Sequence, residues 1–207
     1  MGRLLIVRPG TDGTEQMLSA WAERVMHTVA SSPEDFAHVE IEDLQGPGLT
    51  REAVGRFLGD TKTVVYYGHG SEDALGFPVL IGVSDAAGIG DGVVVAFACH
   101  AGGVLASDAT ASGLRCFVGF TDAFLVAPDS TNAPWSVWME TAITSALMTH
   151  GTAAEVMSAL ADRFGWIFKT FKEGQYATLA NAPVLWLTAD WNLRHLALAG
   201  DGSCPLI

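Results

Sequence analysis

The sequence predicts a single α/β domain over residues 1–207, a three-layer sandwich in which helices cover both faces of a mostly parallel β-sheet. Three observations support this fold class. Short β-branched and aromatic runs alternate with segments of helical periodicity along much of the chain. That order is expected of right-handed crossovers between parallel strands. The 207 residues are 49% hydrophobic, enough for one substantial core.

The predicted strands are short apolar runs bounded by glycine, proline or polar residues. The second of them alternates apolar with acidic residues, which is typical of a strand at a sheet edge. The predicted strands span residues 4–7, 39–44, 64–67, 93–98, 116–120, 183–187 and 193–199.

The predicted helices carry apolar residues three or four positions apart. Thr14 and Thr50 are suitable N-caps for the first two. The predicted helices span residues 14–30, 50–58, 105–112, 135–150 and 152–172. Residues 70–93 are rich in Gly and Asp and predict a surface excursion with a small hairpin, and residues 121–134 predict a long loop over the strand ends.

The amino-acid composition limits the classes of partner that the protein is expected to bind. The formal net charge of −12 argues against nucleic acid and favours a polypeptide with basic residues. No apolar run approaches the roughly 18 residues of a membrane span, and the first residues lack the apolar length of a secretory signal. Three cysteines predict free thiols rather than a disulfide framework. We therefore expect a soluble, cytoplasmic protein that binds neither membrane nor nucleic acid.

Two of the predicted strands end in reactive side chains beside glycine. The run from Val64 ends at His69 and Gly70, and the run from Val93 ends at Cys99. Neighbouring parallel strands bring their carboxyl ends together, where open α/β sheets place their sites. The sequence therefore predicts an imidazole and a thiol at the mouth of one crevice.

This pair suits peptide-bond cleavage. A cysteine attacks a carbonyl as thiolate, and a positioned histidine can protonate the leaving amine. The backbone N–H groups of Gly70 and Cys99 are candidate donors to the oxyanion that develops on the carbonyl. We therefore predict a cysteine endopeptidase with Cys99 as nucleophile and His69 as acid/base, acting through an acyl-enzyme with neither cofactor nor metal.

The pairs His69-Gly70 and Ala98-Cys99, each behind a hydrophobic strand, resemble the His-Gly and Ala-Cys signature of the caspase-like cysteine peptidases. That group includes caspases, legumain, gingipains, separase and the bacterial CHAT domains. The chain looks most similar to the CHAT domains, because a glycine-containing turn follows Cys99 and residues 196–201 resemble their closing strand. The resemblance implies a caspase-like fold and a bacterial stress or defence role, with a dedicated protein substrate encoded nearby.

The candidate substrate-binding residues are less well specified. In caspases and legumain the residue two before the nucleophile is polar or charged and helps to select the residue before the cut. Here that residue is Phe97, so neither an Asp nor an Asn preference carries over. A pocket for a basic side chain requires a carboxylate near the strand ends, and Asp85 and Asp122 are the candidates.

Other interpretations compete with a peptidase. Most free cysteines pack as small hydrophobes, so a catalytically inactive binding or regulatory module on the same fold is the main alternative. A zinc site from His69, His100 and Cys99 would have suitable ligand types, but the chain lacks the usual Cys-x-x-Cys or His-x-x-x-His spacing. Nucleotide binding is disfavoured because no phosphate-binding glycine motif is present. His100, adjacent to Cys99, would point to the opposite face of an extended backbone, unless the chain turns there.

Overall fold

A six-stranded sheet forms the centre of the computed structural model, which describes residues 2–126 and 135–207, the second range with side chains from residue 140. Its strands are β1 (Gly2–Arg8), β2 (Val39–Gln45), β3 (Thr63–Tyr67), β6 (Val93–Phe97), β7 (Cys116–Phe120) and β8 (Leu196–Gly200). The order across the sheet is β2-β1-β3-β6-β7-β8. All neighbours are parallel except β7 and β8. The mostly parallel α/β architecture is thus confirmed, and the acidic strand β2 lies at an edge.

Helices cover both faces of this sheet. They are α1 (Gly13–Ser31), α2 (Arg51–Leu58), α3 (Val83–Ala87), α4 (Val104–Ala111), α5 (Trp135–Met148), α6 (Ala153–Lys172) and α7 (Ala182–His195). Alternate residues of the strands point to opposite faces. One face packs against α1, α5, α6 and α7, and the other against α2, α3 and α4. The three-layer sandwich is therefore confirmed.

The excursion after β3 contains the predicted hairpin, formed by β4 (Ala74–Leu75) and β5 (Ile81–Gly82). It is anchored by Leu75, Leu80 and Ile81, which are buried. The short helix α3 follows directly and was not predicted. Residues 127–134 of the predicted long loop lie outside the described residues.

The prediction of a strand over residues 183–187 is wrong, since these residues belong to α7. Pro183 lies in the first turn of α7, a position that proline tolerates well. Val184 and Leu187 are exposed, so the apolar run covers both sides of a helix instead of one buried strand. The final strand accordingly begins at Leu196 rather than at residue 193.

No helix in the described ranges combines the length and the apolar character that a membrane crossing requires.

Candidate active site

The carboxyl ends of β3 and β6 carry the two predicted reactive residues side by side. Tyr67 and Phe97 are register partners, and the Gly68 N–H donates to the Phe97 carbonyl at 3.3 Å. His69 and Cys99 each follow their strand by two residues. The site therefore lies at the strand ends, where open parallel sheets place their ligands.

Gly70 lies directly against the backbone of Cys99. A Cβ atom at position 70 would lie 2.6 Å from the Cys99 carbonyl oxygen and 2.9 Å from the Cβ of Ala98. Real Cβ atoms do not approach so closely, so this apposition requires glycine. Among the described residues, neither the Gly70 nor the Cys99 backbone N–H donates to a protein acceptor. Within the described chain, the two N–H groups predicted as oxyanion donors therefore have no internal acceptor.

Asp12 holds the imidazole of His69. The His69 Nε2 lies 2.6 Å from Asp12 Oδ2, in a charge-assisted contact between half-exposed side chains. Asp12 is also the N-cap of α1, where Oδ1 accepts the N–H groups of Thr14 and Glu15 at 2.9 Å. The Glu15 N–H, and after it the His69 ring, lower the pKa of Asp12. Asp12 thus presents a stable carboxylate to His69.

A second pair of side chains holds the backbone of His69. The buried carboxylate of Glu15, 1% exposed, accepts the His69 N–H at 3.1 Å through Oε1. The hydroxyl of Tyr66 donates to the His69 carbonyl at 2.9 Å. Burial, and next the charge of Glu15, raise the pKa of Tyr66, which keeps its hydroxyl a donor. Hydrogen bonds to both the N–H and the carbonyl of His69 therefore fix the position of its backbone.

The loop that delivers Asp12 leaves β1 at a fixed point. Arg8, the last residue of β1, is 3% exposed and makes a bidentate contact with Asp43 at 2.8 and 2.9 Å. The same guanidinium contacts Ser19 and Glu23 of α1. Glu15 accepts both the N–H and the hydroxyl of Thr11 within the connecting loop. These contacts join β1, β2 and α1 around the start of the loop.

Cys99 is half-buried and packs against the core cluster on the α1 side of the sheet, and the His69 ring contacts Asp12, the N-cap of α1. Its Sγ lies 3.9 Å from the Phe124 carbonyl. Within the described chain no hydrogen bond joins the thiol to the imidazole; the imidazole contacts Asp12 and the thiol contacts the Phe124 carbonyl. Catalytic hydrogen bonds often form only when substrate is bound.

The backbone turns immediately after Cys99. His100 has a φ of 60°, a left-handed conformation that costs a non-glycine residue about 1–3 kcal/mol and that concentrates at functional sites. The extended backbone assumed for His100 is therefore not observed. Its N–H donates to the Asp122 carbonyl at 2.9 Å, and its Nδ1 lies 3.8 Å from Asp122 Oδ1.

The three candidate substrate-binding residues have different surroundings. Asp122 is half-exposed beside the Cys99 turn. Phe97 is fully buried and stacks on Tyr67 with ring centroids 4.9 Å apart, so its side chain belongs to the core. Asp85 accepts the Gly82 N–H and pairs with Arg51, both at 2.8 Å, at the start of α3. Only Asp122 therefore combines an exposed carboxylate with contact to the Cys99 turn.

The sequence interpretation missed Asp12, Glu15 and Tyr66. A local signal was present, because Asp12 and Glu15 open the first helix directly after β1. Their contacts with His69 span 57 and 54 residues of sequence, however, and depend on β1 pairing with β3.

Among the described residues, Asp12 and Glu15 also form, together with His69, a group of side chains close enough to hold a metal ion. Ligand atoms of Asp12, Glu15 and His69 all lie within 4.8 Å of one another, whereas the set considered for zinc, His69, His100 and Cys99, forms no such cluster. Both Glu15 oxygens already accept hydrogen bonds from Thr11 and His69. The hydrogen bonds around His69 thus account for the cluster.

For the peptidase that the sequence predicts, replacing Asp12 with asparagine is expected to lower the rate of peptide cleavage by roughly tenfold to a hundredfold, because His69 loses its charged partner while the helix cap is retained. The measurement is kcat on a peptide substrate. Asp35→Asn, an exposed position beyond the far end of α1, is the matched control. Equal kcat values for the Asp12 and Asp35 variants would contradict the role of Asp12.

The same variant makes a prediction about pH. The folded protein lowers the pKa of Asp12 below its unfolded value of about 3.9, so the ionised carboxylate stabilises the fold above that pH. This contribution is lost as the pH falls through the lowered pKa. The free energy of unfolding of the wild type should therefore exceed that of Asp12→Asn at neutral pH and converge with it in acid, as measured by urea unfolding.

Comparison with known proteins gives a structural result only. No protein-family model and no curated protein matches the chain. Among solved structures, the chain is similar to the Arg-specific cysteine proteinase gingipain R (RgpB), with a TM-score of 0.56, 16% identity, and coverage of 99% of this chain and 47% of that one. It is also similar to a chain in the complex of Porphyromonas gingivalis RgpB pro- and mature domains, with a TM-score of 0.54, 14% identity, and coverage of 99% and 48%.

The chain thus spans about half the length of these neighbours. At such low identity the likeness concerns the fold, and the conclusion is that the chain has the caspase-like α/β fold of gingipain R, a cysteine proteinase.

Proposed function

We propose that the chain is a cysteine endopeptidase that cleaves a protein substrate with Cys99 as nucleophile and His69 as acid/base. The observation that carries this proposal is the apposition of Gly70 and Cys99 at the ends of adjacent parallel strands, which brings the His69 loop against the nucleophile. The similarity of the fold to a cysteine proteinase supports the same reaction class.

In this mechanism the Cys99 thiolate attacks the scissile carbonyl, and an Sγ–C bond forms as the carbonyl oxygen becomes an oxyanion. The backbone N–H groups of Gly70 and Cys99 donate to that oxyanion. As the C–N bond breaks, the protonated ring of His69, oriented by Asp12, gives its proton to the leaving amine. Water then cleaves the thioester, which releases the acyl product and regenerates the thiol.

Asp122 is our candidate for selecting the residue before the cut. Its half-exposed carboxylate lies beside the Cys99 turn and offers a partner to a Lys or Arg side chain of the substrate. Asp85 is less suitable, because its contacts with Arg51 and the Gly82 N–H tie it to the start of α3 and not to the Cys99 turn. The net charge of −12 would also favour approach of a basic substrate segment.

The wider setting is proposed from the resemblance to CHAT domains. We infer a cytoplasmic bacterial enzyme of a stress or defence pathway whose protein substrate is encoded nearby. The three free cysteines are consistent with a reducing compartment.

Covalent labelling tests the proposed function. A peptidyl chloromethyl ketone with Arg before the reactive group should form an adduct on Cys99, located by peptide mass spectrometry, and the protein should cleave a peptide library with basic residues. Cys116 and Cys204 serve as internal controls, since burial raises the pKa of both thiols, that of Cys116 to about 11. A protein that neither reacts at Cys99 nor cleaves any peptide would be the inactive binding module instead.

A further inference from the structure

The tip of the β4–β5 hairpin exposes apolar side chains next to the active site. Phe77 is 63% exposed and Val79 is 41% exposed, with Pro78 exposed between them. The hairpin residues on either side, Leu75 and Leu80, are buried. The tip is therefore a small apolar surface on a well-anchored support.

Backbone hydrogen bonds fix this tip relative to His69. The Gly76 N–H donates to the His69 carbonyl at 2.9 Å, and the Leu80 N–H donates to the Leu75 carbonyl at 2.8 Å. Gly76 has a φ of 91°, which glycine adopts without strain. The ring centroids of Phe77 and His69 lie 6.4 Å apart. The exposed ring of Phe77 is therefore a close neighbour of the imidazole.

The proposed mechanism indicates which part of a substrate would contact Phe77 and Val79. His69 must reach the leaving amine to protonate it, so the residues after the scissile bond leave the site past the imidazole. In the proposed mechanism the acyl part of the substrate becomes bonded to Cys99, whose turn contacts Asp122. Phe77 adjoins the His69 ring and is therefore placed towards the leaving-group side.

We propose that Phe77, supported by Val79, binds an apolar side chain of the substrate at the first or second position after the scissile bond. This inference rests on the proposed function and adds a preference that the dyad alone does not specify. When such a side chain packs on the largely exposed ring of Phe77, apolar surface on both groups is removed from water, which favours binding. Apolar contacts in an open subsite discriminate by about tenfold.

The test uses the intact chain and two quenched peptides with the same residues before the cut. One peptide has Leu at the two positions after the cut, and the other has Gly at both. Wild-type kcat/KM should be about tenfold higher for the Leu peptide. Phe77→Ala should reduce the Leu peptide to the level of the Gly peptide, whereas Phe77→Leu should retain most of the preference.

Two controls separate a subsite from a general effect. The Gly peptide carries no side chain after the cut, so Phe77→Ala should hydrolyse it at the wild-type rate. Met148→Ala, which removes another exposed apolar side chain (46%), should keep the Leu preference. Met148 ends α5 beside Leu147, whose carbonyl contacts His38 just before β2, so it lies at the amino end of the parallel strands, opposite the site.

The outcomes distinguish the two proposals. Turnover of the Leu and Gly peptides at equal rates would overturn the subsite and leave the peptidase standing. A Leu preference that persists in Phe77→Ala would likewise overturn it. Absence of turnover on all substrates together with an unlabelled Cys99 would instead overturn the proposed function, and the subsite with it.

Discussion

Replacing Cys99 with alanine is expected to reduce peptide cleavage by at least about 10⁴-fold, because the proposed mechanism forms the acyl-enzyme on the Cys99 thiol. The side chain removed is small and half-buried, so the fold should lose only about 1 kcal/mol. The measurement combines kcat/KM on a cleaved peptide with urea unfolding of the same preparation. Loss of activity without loss of the folded state identifies a chemical role.

Cys116 provides the matched control for Cys99. It begins β7 and is fully buried, with its thiol in the core. Cys116→Ala should therefore destabilise the protein by about 1–2 kcal/mol through the cavity it leaves, while peptide cleavage stays near the wild-type rate. Cleavage that survives in Cys99→Ala, or disappears only in Cys116→Ala, would contradict the assignment of the nucleophile.

Replacing Gly70 with alanine is expected to reduce kcat by about a hundredfold or more. The added Cβ would meet the carbonyl oxygen of Cys99 at 2.6 Å, and because this is a backbone atom, the His69 loop or the Cys99 turn must shift. A displacement of about 1 Å at reacting groups costs on the order of a hundredfold in rate. The shift would also misdirect the two N–H groups that we propose as oxyanion donors.

Gly165 separates this effect from the general cost of replacing glycine. It lies in α6, and a Cβ atom there would meet nothing within 4 Å. Gly165→Ala should therefore raise the free energy of unfolding by about 0.5–1 kcal/mol and leave kcat unchanged. If Gly70→Ala kept the wild-type kcat, the close approach of Gly70 to Cys99 would have no role in catalysis.

The local sequence was sufficient to predict the two strands that precede His69 and Cys99. The runs that begin at Val64 and Val93 are β-branched, bounded by polar residues and glycine, and buried along their whole length in the sheet. Such runs have few alternatives to a central parallel strand. The neighbouring positions of His69 and Cys99 followed from strand order alone.

The wrong prediction of a strand near the end of the chain has a physical reason. Residues 183–187 form an apolar run without polar interruption, and periodicity cannot distinguish a helix that exposes Val184 and Leu187 from a buried strand. The burial of Phe97, by contrast, was accessible from alternation, since it shares a face with Val93 and Val95.

The contacts that orient His69 were not accessible from local pattern. Asp12 and Glu15 resemble ordinary residues of a helix start, and only the pairing of β1 with β3 places them beside a histidine more than 50 residues later. The engagement of Asp85 by Arg51 is another long-range pairing, across 34 residues. Tertiary contacts of this kind are set by topology, which sequence periodicity predicts only in outline.

The capping of α1 by Asp12 has a consequence for how activity is lost. Helix ends open at lower free energy than the strands of a core, and such local opening precedes global unfolding. When the first turn of α1 frays, His69 loses the acceptor of its ring and the acceptor of its peptide N–H together, although the sheet remains intact. The proposed activity is therefore tied to the first turn of α1, and inactivation should precede the loss of overall structure.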